Sequence, residues 1–203
     1  MTLDGSHARH VEGVTRLLPD GERVRAVARV RAGAGLTPAA PPQPAAPPAP
    51  GGPGILGILL NVLSPTITFG RADNAVDWLF FGVGGRGAPG SQASLLHHAL
   101  TVATKGAGLR DIVLGVTDRR LLLGVTAPVG LLSSSATDAR AQADVELLGS
   151  VPRTTVAARV GRYRLNRKRL RIDFADGSWL SFHVPLGDSG RPLRDVAAAV
   201  SAD

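Results

Sequence analysis

VPRTTVAARVGRYRLNRKRLRIDFADGSWLSFHV, running from Val151 to Val184, reads as strand, basic turn, strand, Asp-Gly turn, strand. Leu170, Ile172 and Phe174 alternate with Arg169, Arg171 and Asp173, the two-residue period of a strand with one buried face. Leu180, Phe182 and Val184 alternate in the same way with Trp179, Ser181 and His183. Their register follows from the side chains. A two-residue loop at Asp176-Gly177 sets Phe174 opposite Trp179 and Ile172 opposite Ser181, which mixes the faces. A three-residue loop, Ala175-Asp176-Gly177, pairs Ile172 with Leu180 and Leu170 with Phe182. It buries one whole face and gives Gly177 the positive φ of a bulge, so it is the loop the sequence predicts.

Upstream, a two-residue turn at Asp118-Arg119 sets Val116 opposite Leu121, Leu114 opposite Leu123 and Ile112 opposite Val125. Gly130 to Ala143 reads as a polar Ser/Ala-rich loop, and Asp144 to Leu148 as a short strand. Downstream, Arg191 to Val200 forms a helix with Pro192 in its first turn and Leu193, Val196, Ala197 and Val200 facing inward. At the amino end, Ser6 to Leu18 forms a short helix that Pro19-Asp20-Gly21 ends. Glu22 to Arg31 then alternates, with Val24, Ala26, Ala28 and Val30 on one face and Arg23, Arg25, Arg29 and Arg31 on the other.

The middle of the chain differs. From Gly33 to Pro53 it is nearly all Ala, Pro and Gly, a composition that cannot bury enough apolar surface to fold and predicts an extended spacer. Gly54 to Lys105 reads as an α-helical insertion. Ile55 to Leu63 is apolar almost all round, Asp73 caps a helix carrying Val76, Trp78, Leu79, Phe80 and Phe81, and Ser91 caps another with Leu95, Leu96, Ala99, Leu100 and Ala103 as its buried stripe. A bilayer helix needs roughly 20 apolar residues, and Asn61, Ser64 and Pro65 interrupt this run too soon, so no transmembrane segment is expected. These helices are expected to pack on the sheet or on a second copy of the chain.

The tally is about seven antiparallel strands, at 22–31, 111–117, 120–126, 144–148, 156–164, 169–175 and 178–184, and a C-terminal helix at 191–201. That is the element order of a pleckstrin-homology-like (PH-like) roll, and motifs strengthen the resemblance. Leu114 to Leu123, with Thr117-Asp118-Arg119-Arg120-Leu121 at its turn, resembles the "TDRRL" hairpin of bacterial PH and GRAM-like domains. Val151-Pro152-Arg153-Thr154-Thr155-Val156 is similar to their "IPxxxI" segment, and Phe174-Ala175-Asp176-Gly177-Ser178 to their Asp-Gly turn. The resemblance covers residues 20–31 and 111–201, about half the chain. It implies an α+β fold, a PH-like roll with an α-helical insertion after the first strand. The chain then divides into 1–31 (first helix and strand), 32–53 (Pro/Ala/Gly-rich linker), 54–105 (helical insertion) and 106–203 (the rest of the roll). As a whole the chain resembles proteins of high-GC bacteria, and what this implies is a fold, not an activity.

The 203 residues, 44% hydrophobic, suffice for one domain with appendages. There is no cysteine, which excludes disulfides and thiolate chemistry and suits a reducing, cytoplasmic setting. MTLDGSHARHVEG has no apolar signal core, so no signal peptide is expected. The net charge of +7 favours acidic partners, although Lys105 and Lys168 are the only lysines, and a GC-rich genome gives the same arginine bias.

Gly82-Val83-Gly84-Gly85-Arg86-Gly87 fits G-x-G-x-x-G, but a phosphate-binding version needs a strand before it and a helix directly after. A flexible loop is the expectation. Gly187-Asp188-Ser189-Gly190 matches the nucleophile loop of trypsin-like proteases, yet His97 and His98 lie in a helix without the sequence around a protease histidine, so Ser189 is read as part of the turn leading into the last helix. His7 with His10, and His97 with His98, lack the spacing of a zinc site and are read as solvated or partly packed. No acid–base pair stands out among the 16 carboxylates. No catalytic residue, metal site or cofactor is nominated, and an enzyme is not expected.

The strongest functional signal is the basic run Arg159, Arg162, Arg164, Arg167, Lys168, Arg169 and Arg171, with no acid before Asp173. The expected function is a non-catalytic interaction or scaffolding module. Arg162, Arg164, Arg167, Lys168, Arg169 and Arg171 would supply the electrostatics, and Trp78, Phe80 and Phe81 an apolar contact. The partner would be an acidic protein, an anionic lipid surface at the inner face of the membrane, or a second copy of the chain. Near an anionic leaflet each cation contributes about 1 kcal/mol, so several together can hold a peripheral protein. Nucleic acid is the alternative partner, weakened because Tyr163 is the single aromatic in the run.

Overall fold

The computed structural model describes residues 5–37, 83–105, 109–130, 134–163, 166–184 and 189–202. Its elements are α1 (Gly5–Arg16), β1 (Val24–Ala32), β2 (Ala34–Thr37), β3 (Val83–Arg86), α2 (Gln92–Thr104), β4 (Ile112–Thr117), β5 (Arg120–Thr126), α3 (Ser135–Ala143), β6 (Val145–Pro152), a 3₁₀ turn (Arg153–Thr155), β7 (Val156–Tyr163), β8 (Asn166–Phe174), β9 (Trp179–His183) and α4 (Arg191–Ser201). The class is α+β, a curled mixed sheet forming a half-barrel.

The sheet runs β2-β3-β9-β1-β4-β5-β6, with β8 on the other edge of β9 and β7 beyond it. Both hairpins have the expected register. Ile172 faces Leu180 and Leu170 faces Phe182 across the three-residue loop, where Gly177 has φ 79°. Val116 faces Leu121, Leu114 faces Leu123 and Ile112 faces Val125 across Asp118-Arg119. In the β8–β9 hairpin one face had to be buried whole, and a one-residue slip would have exposed it; β4 and β5 are buried on both faces, and there the two-residue turn sets the register.

β1 curls the sheet. Its residues from Val24 to Val30 pair with β4, and its last two, Arg31 and Ala32, pair with His183 and Phe182 of β9. β3 then takes over the same edge of β9, with Gly85 opposite Leu180 and Arg86 opposite Trp179. At the changeover the chain passes so close that a Cβ on Gly84 would sit 2.1 Å from the Gly33 carbonyl oxygen, a position only glycine can hold.

The inner face carries the main core. Ala28, Val30, Leu114, Val116, Leu121, Leu123, Leu170, Ile172, Leu180 and Phe182 are buried there with Leu193, Val196 and Val200 of α4 and Ala93, Leu96 and Leu100 of α2. The one described helix of the insertion therefore packs on the sheet. Arg153 ties α4 down, donating to the carbonyls of Ala199, Val200 and Ala202 at its C-terminal end and to Asp118.

Several expectations are corrected. The glycine run expected to be a flexible loop contains β3, and the start of the expected spacer forms β2, parallel to β3. Residues 54–105 are thus not purely helical. The polar loop expected over 130–143 contains α3, capped by Ser134, which accepts the Thr137 N–H. Nine strands are present among the described residues where about seven antiparallel ones were expected. The Ser91 cap is as expected, and Leu96 and Leu100 of the expected stripe are buried, but Leu95 is 58% exposed and faces away from the sheet. The rest of the spacer, Ile55–Leu63, and the helix carrying Trp78, Phe80 and Phe81 lie outside the described residues.

Candidate functional site

Residues directly opposite one another on neighbouring strands project to the same face, so pairing alone assembles the outer surface of β7, β8 and β9. One row runs Arg159, Arg171, Ser181. The next runs Ala157, Asp173, Trp179, Arg86, ending on β3. The third runs Gly161, Arg169, His183, Arg31, ending on β1. Five guanidinium groups from four strands thus share a face with one carboxylate. Arg31, Arg86 and Arg159 are exposed, while Arg169 and Arg171 are half-buried.

The acid is engaged. Asp173 Oδ1 accepts from Arg171 at 2.7 Å (Nε) and 2.5 Å (Nη2), and Arg159 Nε stands 3.5 Å from Oδ2. The Arg171 guanidinium also lies 4.3 Å from the Trp179 ring centre, and that of Arg169 lies 5.6 Å from it, both within cation–π range. Arg169 donates to Ser181 Oγ at 3.0 Å. His183 is buried, and its pKa is pushed down to about 4 by that burial and then by Arg31 and Arg169. At neutral pH it adds no charge to the face.

Strand alternation divides the run that sequence reasoning grouped together. Arg169 and Arg171 lie on the outer face. The stem of Lys168 lies instead beside Gly190 at the start of α4, where an added Cβ would approach it to 3.1 Å. Arg162 is exposed where the β7–β8 register shifts. Arg164 and the Arg167 side chain lie outside the described residues, as do Trp78, Phe80 and Phe81. Sequence reasoning did not assign Arg31, Arg86 or Trp179 to the site. Trp179 was within reach, since the three-residue loop already set it on the arginine side of the hairpin.

Two other polar groups are structural. His10, expected to be solvated or partly packed, is buried with Nε2 3.5 Å from Asp111 Oδ2, and Arg29 reaches the same oxygen at 3.6 Å. Burial works against ionisation of Asp111, but His10 and Arg29 outweigh it and hold its pKa below the usual value. Glu22 is buried under the β4–β5 turn, accepting from Thr117 Oγ1 at 2.6 Å and Arg120 Nε at 2.9 Å. No group of three His, Cys, Asp or Glu able to hold a metal occurs among the described residues. No helix among them is long and apolar enough to cross a membrane. Comparison with protein-family models, with curated proteins and with solved structures finds no match.

Proposed function

We propose that the chain is a non-catalytic interaction module built on a PH-like roll, and that its outer arginine face binds an acidic protein surface. The observation that carries this is the convergence of Arg31, Arg86, Arg159, Arg169 and Arg171 from four strands onto one face. The strand order and the C-terminal helix packed into the sheet support the roll, and the absence of cysteine suits a cytoplasmic setting.

Residue chemistry favours protein over the other acidic partners. Arginine and tryptophan are enriched at protein interfaces. Asp173 sits among the cations, where it would oppose a continuous layer of phosphates. Arg171 lies over Trp179, so the indole is not a bare platform for a nucleic-acid base.

Poly-L-glutamate, duplex DNA and vesicles of phosphatidylcholine with phosphatidylglycerol serve as three acidic probes, titrated at several salt concentrations. Poly-L-glutamate is expected to bind more tightly than the other two, in a salt-sensitive manner, and to lose affinity for the Arg159→Glu/Arg171→Glu chain. Preference for DNA or vesicles, or indifference to the charge reversal, contradicts the reading.

A further inference from the structure

A cleft of about 590 Å³ opens beside this face, between β3, the Gly87–Gly90 turn, the start of α2 and the Asp176–Trp179 end of the β8–β9 hairpin. Clefts of roughly 300–1,000 Å³ are the size that admits small ligands. Arg86 and Trp179 stand opposite each other on β3 and β9, and Arg171 reaches in over the indole. Arg171 is committed to Asp173, whereas Arg86 is exposed and has no ion-pair partner among the described residues.

The far wall offers an anion little. The Gln92 N–H donates to Asp176 Oδ2 at 2.7 Å, the Ala93 N–H to Ser178 Oγ at 3.1 Å and the Ser94 N–H to Ser91 Oγ at 3.3 Å. The first-turn donors of α2 are therefore used within the chain, and an incoming anion must be held by guanidinium groups. Two arginines and one aspartate line the cleft, but Arg171 is already neutralised by Asp173, so Arg86 is the one lining cation without an ion-pair partner among the described residues. One available guanidinium matches a single carboxylate, whereas a doubly charged phosphate would be left half neutralised beside Asp176.

We propose that this cleft receives one carboxylate side chain of an acidic peptide, paired with Arg86 and with its apolar stem along Trp179. The inference rests on the reading of the arginine face as a surface for an acidic protein, and narrows it to one anchoring point. The planar guanidinium suits two-point pairing with a carboxylate, and the indole supplies the apolar wall.

The chain has two tryptophans, so a Trp78→Phe variant makes Trp179 the reporter of the cleft. Hexaglutamate is expected to change its emission saturably, and inorganic phosphate and phosphatidylglycerol-containing vesicles to leave it unchanged. In that background Arg86→Gln is expected to weaken hexaglutamate about tenfold or more, and Arg31→Gln, on the same face outside the cleft, only about twofold. Ala88→Glu, which sets a carboxylate on the cleft wall, should match Arg86→Gln and tests the site without removing an arginine. Equal losses for Arg86→Gln and Arg31→Gln overturn the cleft while leaving the acidic-partner face standing. A response to phosphate or vesicles equal to that with hexaglutamate overturns the carboxylate assignment. Failure of hexaglutamate to bind at all overturns both.

Discussion

Over β1, β4 and β5 the outer face of the sheet carries Val27, Val113 and Leu122, and α1 covers them with Val14. Over β8 and β9 the same face carries Arg169, Arg171, Trp179 and Ser181, with Arg31 and Arg86 beside them. β1 crosses from one half to the other, and its outward residues record the change: Val27 under the helix, Arg29 paired with Asp111 at the boundary, Arg31 exposed next to His183. The two halves share backbone geometry and differ in what covers them. The first is a second small core whose worth is burial. The second keeps Arg31, Arg86 and Arg159 exposed, where single ion pairs contribute little to stability, and is the half we propose as the surface for an acidic partner.

The largest expected contrast is in stability. Leu122→Ala, under α1, should cost about 2–5 kcal/mol in urea unfolding, and Arg159→Ala on the other half less than about 1 kcal/mol. Comparable losses at the two sites would erase the distinction between the halves.

The halves also respond to acid in different windows. His183 has a folded pKa near 4, below its unfolded value of about 6.5, so the unfolded chain takes up its proton first. Stability should fall as pH drops from about 6.5 to about 4, by on the order of 2–3 kcal/mol, and no further from this group below that. Asp111 has its folded pKa lowered, so its contribution is present above the unfolded value of about 3.8 and is lost only as pH falls through the folded pKa. Unfolding followed from about pH 7 to about pH 2 should lack the first slope in His183→Asn, and only the more acidic one in Asp111→Asn.

Within the arginine half, Arg171→Gln removes both the Asp173 pair and the contact with Trp179, and should lower stability by about 1 kcal/mol, with a shift in Trp179 emission. On the exposed side of α1, Glu12→Gln breaks an i,i+4 pair with Arg16 and should change the unfolding free energy measured in urea by no more than about 0.5 kcal/mol.

The hairpins were legible because their information is local. Alternation with period two and a turn of fixed length decide which side chains can face each other, and Leu170, Ile172, Leu180 and Phe182 satisfy one register only. α4 was legible from its apolar stripe. β2 and β3 were not, since Ala34-Gly35-Leu36-Thr37 and Val83-Gly84-Gly85-Arg86 have no alternation. They are strands because β3 lies along the edge of β9 that β1 leaves, with β2 beside it. α3 has a single buried residue, Ala141, and so no stripe to read. The site divides along the same line. Arg169, Arg171 and Trp179 share a face by local register, whereas Arg31 and Arg86 reach it only through pairing with distant strands.

That long-range convergence gives the most direct measurement, the affinity of poly-L-glutamate for two chains with equal charge change. Arg31→Glu/Arg86→Glu lies wholly outside the basic run, and Arg119→Glu/Arg140→Glu lies on exposed positions of the β4–β5 turn and α3. If the face is the binding surface, the first chain should lose about tenfold or more in affinity and the second about twofold. Equal losses would mean that net charge, and not the face built by β1, β3, β7 and β8, attracts the acidic partner.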